Sequence, residues 1–199
     1  MLHYVPLPLR RSLGRTLLAL VTLRTVRIFR CALPFTPSSA EPSSSELAIT
    51  CLSEGSPEFT ALCRKFGARD FADRLQGGHE GFVATIGGEV VGFLWMATNS
   101  LWIEEIEYAY RLPPGEAFIY DGFVDPAFRG RGIYPALITA AVQRPRPQEF
   151  DSILIAALAS NPASLRGITK AGFRECERIR YRKILGLKNW QRVTLNATA

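Results

Sequence analysis

The sequence predicts a mixed α/β fold, a central sheet with helices on both faces. Three observations carry that expectation. Apolar runs of strand length alternate with helix-start signals from residue 46 to about residue 185. Gly87-Gly88 separates two apolar runs, as the turn of a tight hairpin does. Residues 150–158 form a continuous apolar run, suited to a strand covered on both faces.

The elements follow in order. Residues 46–53 read as a first strand. Ser56 is an N-cap candidate and Pro57 fits a first helical turn, so a helix runs to about residue 65. A second short helix covers 70–75, ended by Gly77 and Gly78. Residues 81–86 and 89–98 are the arms of the hairpin. Residues 103–110 alternate in part, with Ile106, Tyr108 and Tyr110 on one side, and read as a further strand or a structured loop. Residues 115–124 are a strand stopped by Asp125-Pro126. A helix spans 132–143 and ends before Pro145. After the 150–158 strand, Asn161 caps a helix with Pro162 at its first position, and Gly172 lies just past its end. Residues 174–184 supply one or two closing strands.

Charge divides the chain. Residues 1–40 hold six arginines and no Asp, Glu or Lys. Six of the 24 basic residues therefore lie there, leaving 18 against 18 acidic ones. The remainder is formally neutral, which argues against a nucleic-acid partner, because such domains carry their own basic face. Residues 1–45 read as a basic, apolar extension ending in a Pro/Ser-rich linker, residues 46–190 as the domain, and 191–199 as a tail. Arg-rich, acid-free sequence suits a targeting peptide or a helix on an anionic surface, so peripheral membrane contact through residues 10–33 is an expectation. Cys31, Cys51, Cys63 and Cys176 are scattered, with no C-x-x-C pair. They suit reduced thiols in a cytoplasmic protein, and no metal site is expected.

The stretch "FRGRGIY" stands between a strand and a helix. Gly130 and Gly132 allow close backbone approach, and the first amides of a helix point at whatever lies before it. Arg129 and Arg131 add positive charge. This is the recipe for a phosphate site, yet it matches neither a Rossmann turn nor a Walker loop.

In these residues the chain resembles the GNAT superfamily of acyl-CoA N-acyltransferases. Val124, Pro126, Arg129, Gly130 and Gly132 match its "V-x-P-x-x-R-G-x-G" hallmark, and Asn161, Ser164, Gly172 and Phe173 match its second signature. The resemblance covers about residues 46–185. It implies a mostly antiparallel sheet whose parallel fourth and fifth strands, here 115–124 and 150–158, splay apart. It implies acetyl-CoA as co-substrate, with no metal. Backbone amides from Arg129 through Gly130, Arg131, Gly132 and Ile133 to Tyr134 would hold the pyrophosphate. Phe123 and Val124 would bond the pantetheine arm, and Asn161 and Ser164 would flank the cofactor, although Asn161 is equally a plain helix cap. The acyl group would pass directly to an amine of a small molecule or peptide, in a monomer or homodimer. The alternative is a catalytically silent acyl-CoA-binding regulatory domain.

Two residues depart from the pattern. Tyr134 replaces a Gly or Ala of the hallmark, and Ile168 stands where relatives carry the tyrosine that protonates the leaving thiolate. Asp121 and Tyr120 are the candidate catalytic residues. Strand alternation sends only one of them into the cleft unless a bulge intervenes. Glu104, Glu105 and Glu107 lie where acceptor walls form, or else on a solvated strand face.

Overall fold

The computed structural model describes residues 21–35, 46–67, 69–144 and 150–195. Ten strands and four helices lie among them: β1 Val21–Ala32, β2 Leu47–Cys51, α1 Pro57–Phe66, α2 Arg69–Gln76, β3 Glu80–Ile86 and β4 Glu89–Ala97 come first. Then follow β5 Ser100–Ile103, β6 Tyr108–Arg111, β7 Glu116–Val124, α3 Ile133–Gln143, β8 Ser152–Leu158, α4 Pro162–Lys170, β9 Arg174–Ile184 and β10 Leu187–Thr194. Eight strands form one sheet in the order β10-β9-β1-β8-β7-β4-β3-β2, and β5 and β6 pair separately. Among the described residues the contact between β7 and β8 is its one parallel pairing.

The local signals act as expected. The Ser56 hydroxyl accepts a hydrogen bond from the Phe59 N–H at 3.1 Å, and Gly67 ends α1 in the left-handed region. Gly87 and Gly88 both have positive φ, the geometry a two-residue hairpin requires. The Asn161 side chain accepts from the Ser164 N–H at 3.1 Å and caps α4. Apolar alternation on β3 and β4 then feeds two faces. Phe82, Ala84, Val91, Leu94 and Met96 pack with α3 and α4. Val83, Val90, Phe93 and Trp95 pack under α1 and α2.

The domain boundary expected at residue 46 is corrected by β1. This strand lies in the segment read as an extension, yet it pairs with β8 on one edge and β9 on the other. Val26, Ile28, Phe29 and Cys31 are buried. Its arginines sit between these apolar positions, so they mark a half-buried strand and not a detached tail. Residues 21–32 are therefore no surface helix, and the part of the expected membrane contact on residues 10–20 lies outside the described residues. At the other end, β10 runs to Thr194, so the expected tail begins inside a strand. Among the described residues no helix is long and apolar enough to cross a membrane.

The 103–110 segment is neither a continuous strand nor a free loop. It holds the end of β5, a 3-10 turn over Glu104–Ile106, and β6. Glu107 takes a left-handed φ of 48° there and receives hydrogen bonds from Tyr181 at 2.7 Å, Lys183 at 2.9 Å and Lys188. The Trp190 indole N–H donates to the Ile106 carbonyl at 2.7 Å. Glu107 thus ties this hairpin to β9 and β10, and it is no acceptor wall. The hydrogen bonds from Lys188, Tyr181 and Lys183 hold its carboxyl down at about 2. A depressed carboxyl stabilises the fold above its unfolded value near 4.3 and loses that contribution as pH falls through the folded value. Thermal melts from pH 5 to pH 2 should show a decline in midpoint that is shallower in Glu107→Gln.

Candidate functional site

The site grows from a gap in the sheet. β7 and β8 pair only from Glu116 and Ser152 to Ile119 and Ile155. Beyond that point β7 keeps its bonds to β4, and β8 keeps its bonds to β1. The parallel strands therefore splay, as expected. A bulge accompanies the gap: Phe93 faces Phe123 and Trp95 faces Tyr120, so Leu94 alone spans Asp121 and Gly122. Asp121 absorbs the extra residue with a φ of +47°. The bulge resolves the alternation problem, because Tyr120 and Asp121 line the same pocket.

Below the gap lies a cleft of about 430 Å³ between the end of β7, the glycine turn and α4. The Asp125 carboxylate accepts from the Ala127 N–H at 3.0 Å and sets the 3-10 turn over Pro126–Phe128. Gly130 and Gly132 then take φ of +81° and +78°, and Gly132 caps α3 without any side-chain bond. The first helical bond is from the Ala136 N–H to the Gly132 carbonyl at 3.1 Å. The amides of Ile133 and Tyr134 precede it and carry the positive end of the helix dipole. The Arg129 amide is drawn back to the Pro126 carbonyl at 3.4 Å. Its side chain donates to the Val124 carbonyl at 3.1 Å.

Tyr134 fills the base of this cleft. A Cβ on Gly122 or on Gly167 would lie 2.6 Å from its ring. Two glycines, one on β7 and one on α4, therefore accommodate the bulky residue that the hallmark does not predict. Burial pushes the Tyr134 hydroxyl up to about 12, offset in part by its hydrogen bond with Ser164.

The second pocket, about 180 Å³, lies at the same gap and is lined by Tyr120, Asp121, Arg74, Trp102, Glu104 and Glu105 among others. The Arg74 guanidinium pairs with the Asp121 carboxylate at 2.5 Å and lies 5.3 Å from the centre of the Tyr120 ring. His79 Nδ1 and the Tyr120 hydroxyl are 2.5 Å apart. Burial, opposed by the Arg74 charge and reinforced by that of Asp121, pushes Tyr120 up to about 12. Burial, with the positive charge of Arg74, lowers the His79 pKa.

The structure brings most of the expected residues together. Phe123, Val124, Arg129, Gly130, Gly132, Ile133, Tyr134, Asn161 and Ser164 all line the larger cleft. Phe123 contributes its backbone side, since its ring packs edge-on against Phe66 at 5.1 Å on the opposite face. Arg131 is not in the lining and sits 5.2 Å from the Phe128 ring. Asn161 both caps its helix and borders the cleft, so the two readings coincide. Ile168 is fully buried in the core and offers no proton. Sequence reasoning missed His79, Arg74, Arg166 and Lys170. A lone histidine after a Gly-Gly pair carries no signal. The cationic residues of α4 could have been found from spacing, since Arg166 and Lys170 are four apart, share a face with Asn161-side residues and line the cleft.

Comparison with known proteins agrees with this geometry. The sequence profile described as the Acetyltransferase (GNAT) family matches residues 49–173. An uncharacterized N-acetyltransferase of Methanocaldococcus jannaschii is 33% identical over 96 residues, covering 48% of this chain and 39% of that protein. A GCN5-related N-acetyltransferase from Sphaerobacter thermophilus superposes with a TM-score of 0.57 at 18% identity, over 82% of this chain and 52% of that one. A second, from Kribbella flavida, gives a TM-score of 0.53 at 10% identity, over 82% and 60%. The chain thus spans less than two thirds of each of these relatives, and the two structures speak for the shared fold.

Proposed function

The chain belongs to the GNAT acetyltransferase family, and on that premise we propose that it transfers an acyl group from acetyl-CoA directly to an amine of a small molecule or peptide. The observation that carries this reading is the splay of β7 from β8, with a glycine turn and a helix N-terminus on one side and an acid-lined pocket on the other.

The residues present fit coenzyme A. The amides of Ile133 and Tyr134, with Gly130 and Gly132, would receive its pyrophosphate. Arg166 and Lys170 stand at the cleft edge, where further phosphate charge would be met. The edge of β7 along Gly122–Val124, which β8 has left, would align the pantetheine arm. When bound, the thioester supplies an activated acyl carbon and a thiolate leaving group. Glu104 and Glu105 line the smaller pocket and would draw a cationic acceptor to it. A free cysteine thiol has a pKa near 8.5, so a thiolate can leave without a donated proton, and Ile168 in place of a tyrosine lowers the rate without forbidding the reaction.

The silent acyl-CoA-binding reading rests on Ile168. Thiol release from acetyl-CoA separates the two. The transfer reading expects release that depends on added 1,4-diaminobutane, 2-phenylethylamine or an alanyl dipeptide. Tight acetyl-CoA binding with no release above background for any primary amine would favour the silent domain.

A further inference from the structure

The smaller pocket contains a second polar group behind its candidate catalytic residue. His79 follows α2 and precedes β3, and its own amide donates to the Arg74 carbonyl at 2.9 Å, which fixes it beneath β7. The imidazole meets the Tyr120 hydroxyl edge-on, with ring centres 5.6 Å apart and Nδ1 at 2.5 Å from the oxygen. Tyr120 stands at the point where β7 leaves β8, in the lining of the smaller pocket and two residues before Gly122, where the lining of the larger cleft begins. We infer that Tyr120 and His79 form a two-step proton path, in which the acceptor amine gives its proton to the Tyr120 oxygen while Tyr120 gives its own proton to His79 Nδ1. This inference rests on the transfer reading above.

The chemistry of the pair requires the second member. A tyrosine held up at about 12 remains a phenol at neutral pH and cannot take a proton unless it passes one on. Burial and Arg74 depress His79 below the ordinary 6.5, which favours the neutral ring, and in its Nε2–H tautomer Nδ1 accepts the Tyr120 proton. Arg74 holds Asp121 through Oδ2 at 2.5 Å, whereas the Tyr120 hydroxyl is the group that meets His79. The charged groups around His79 are Arg74 on α2, Asp121 on β7 beyond it, and Glu80, which pairs with Arg144 at 2.8 Å. The step balances. A bond forms between the amine nitrogen and the acyl carbon, the carbon–sulfur bond breaks, and the sulfur keeps the electron pair. The amine proton moves to Tyr120, the Tyr120 proton to His79, and His79 returns one proton to the thiolate or to water. Tyr120 is the catalytic residue of the pair, and His79 is the residue that positions and discharges it.

The test combines spectroscopy with kinetics. The chain has two histidines, His3 and His79, so ring ¹⁵N spectra are assigned by one variant, His79→Asn. The expected spectrum shows the neutral Nε2–H tautomer at His79, with a pKa below 6.5 that changes in Tyr120→Phe. In thiol release from acetyl-CoA with 2-phenylethylamine, kcat/KM should carry an extra acid limb below pH 6.5. His79→Asn keeps a hydrogen-bond acceptor for Tyr120 but cannot bind a proton there. It should lose that limb and about 100-fold in kcat. Acetyl-CoA affinity should stay within twofold. Combining it with Tyr120→Phe should cost no more than the worse single variant. A neutral Nδ1–H tautomer, or an unchanged rate and pH profile in a folded His79→Asn protein, overturns the path and leaves the transfer reading intact. Absence of amine-dependent release in the wild-type protein overturns both.

Discussion

A chain that begins at Glu46 should fail to fold. It would lack β1, which joins β9 and β10 to β8 and the rest of the sheet through hydrogen bonds on both edges. Val26, Ile28, Phe29 and Cys31 would leave the core, and their removal would strip the buried faces of Ile155 and Phe173. Three large apolar side chains at about 1.5–3 kcal/mol each already approach the whole stability of an ordinary domain, about 5–15 kcal/mol. The lost strand also leaves the edges of β8 and β9 unpaired, which favours aggregation. The expected outcome is insoluble protein, or soluble protein with no cooperative thermal transition by circular dichroism. A chain that keeps residues 21–45 should melt cooperatively. A cooperative melt from the shorter chain would mean that β1 is dispensable.

Gly132→Val should weaken binding of coenzyme A by at least about tenfold. Gly132 caps α3 at a φ of +78°, and a Cβ there would meet nothing within 4 Å. The substitution therefore acts through backbone strain and not through packing. The left-handed region costs an L-residue about 1–2 kcal/mol, and β-branching makes it worse. No side-chain bond caps α3 at Gly132, so the backbone there should relax to a φ below zero and turn the amides of Ile133 and Tyr134 away. Each 1.4 kcal/mol is a factor of about ten, so calorimetric titration should show binding weakened by at least about tenfold to thirtyfold. The melting midpoint should move by only a few degrees, because no core contact is lost. Affinity within twofold of wild type would show that the turn does not hold the pyrophosphate.

Local chemistry explains which parts of this account were legible in sequence. Ser56, Gly87-Gly88 and Asn161 act within a few residues of themselves, so their elements stand where the sequence puts them. The glycine turn is equally local, and its position between a strand and a helix made the phosphate reading available without coordinates. β1 was not legible, because its partners lie more than 100 residues away and no turn signal links it to β2. Its arginines, counted as charge, hid an alternation that only β8 and β9 make meaningful. Glu107 looked like its neighbours Glu104 and Glu105, and the arrival of Tyr181 and Lys183 from β9 and Lys188 from β10 separates it from them. His79 and Tyr120 are 41 positions apart, and the bulge that brings Tyr120 and Asp121 to one pocket depends on register with β4. Tyr134 shows the same limit: its tolerance depends on Gly122 and Gly167, which are silent until they are seen against its ring.

Coenzyme A is proposed to lie through the gap between β7 and β8. A crystal structure of the complex with coenzyme A tests it most directly. The pyrophosphate is expected on the amides of Ile133 and Tyr134, the pantetheine arm along Gly122–Val124, and the thiol at the gap within reach of the Tyr120 pocket. Coenzyme A bound elsewhere, or with its thiol pointing away from Tyr120, would contradict it.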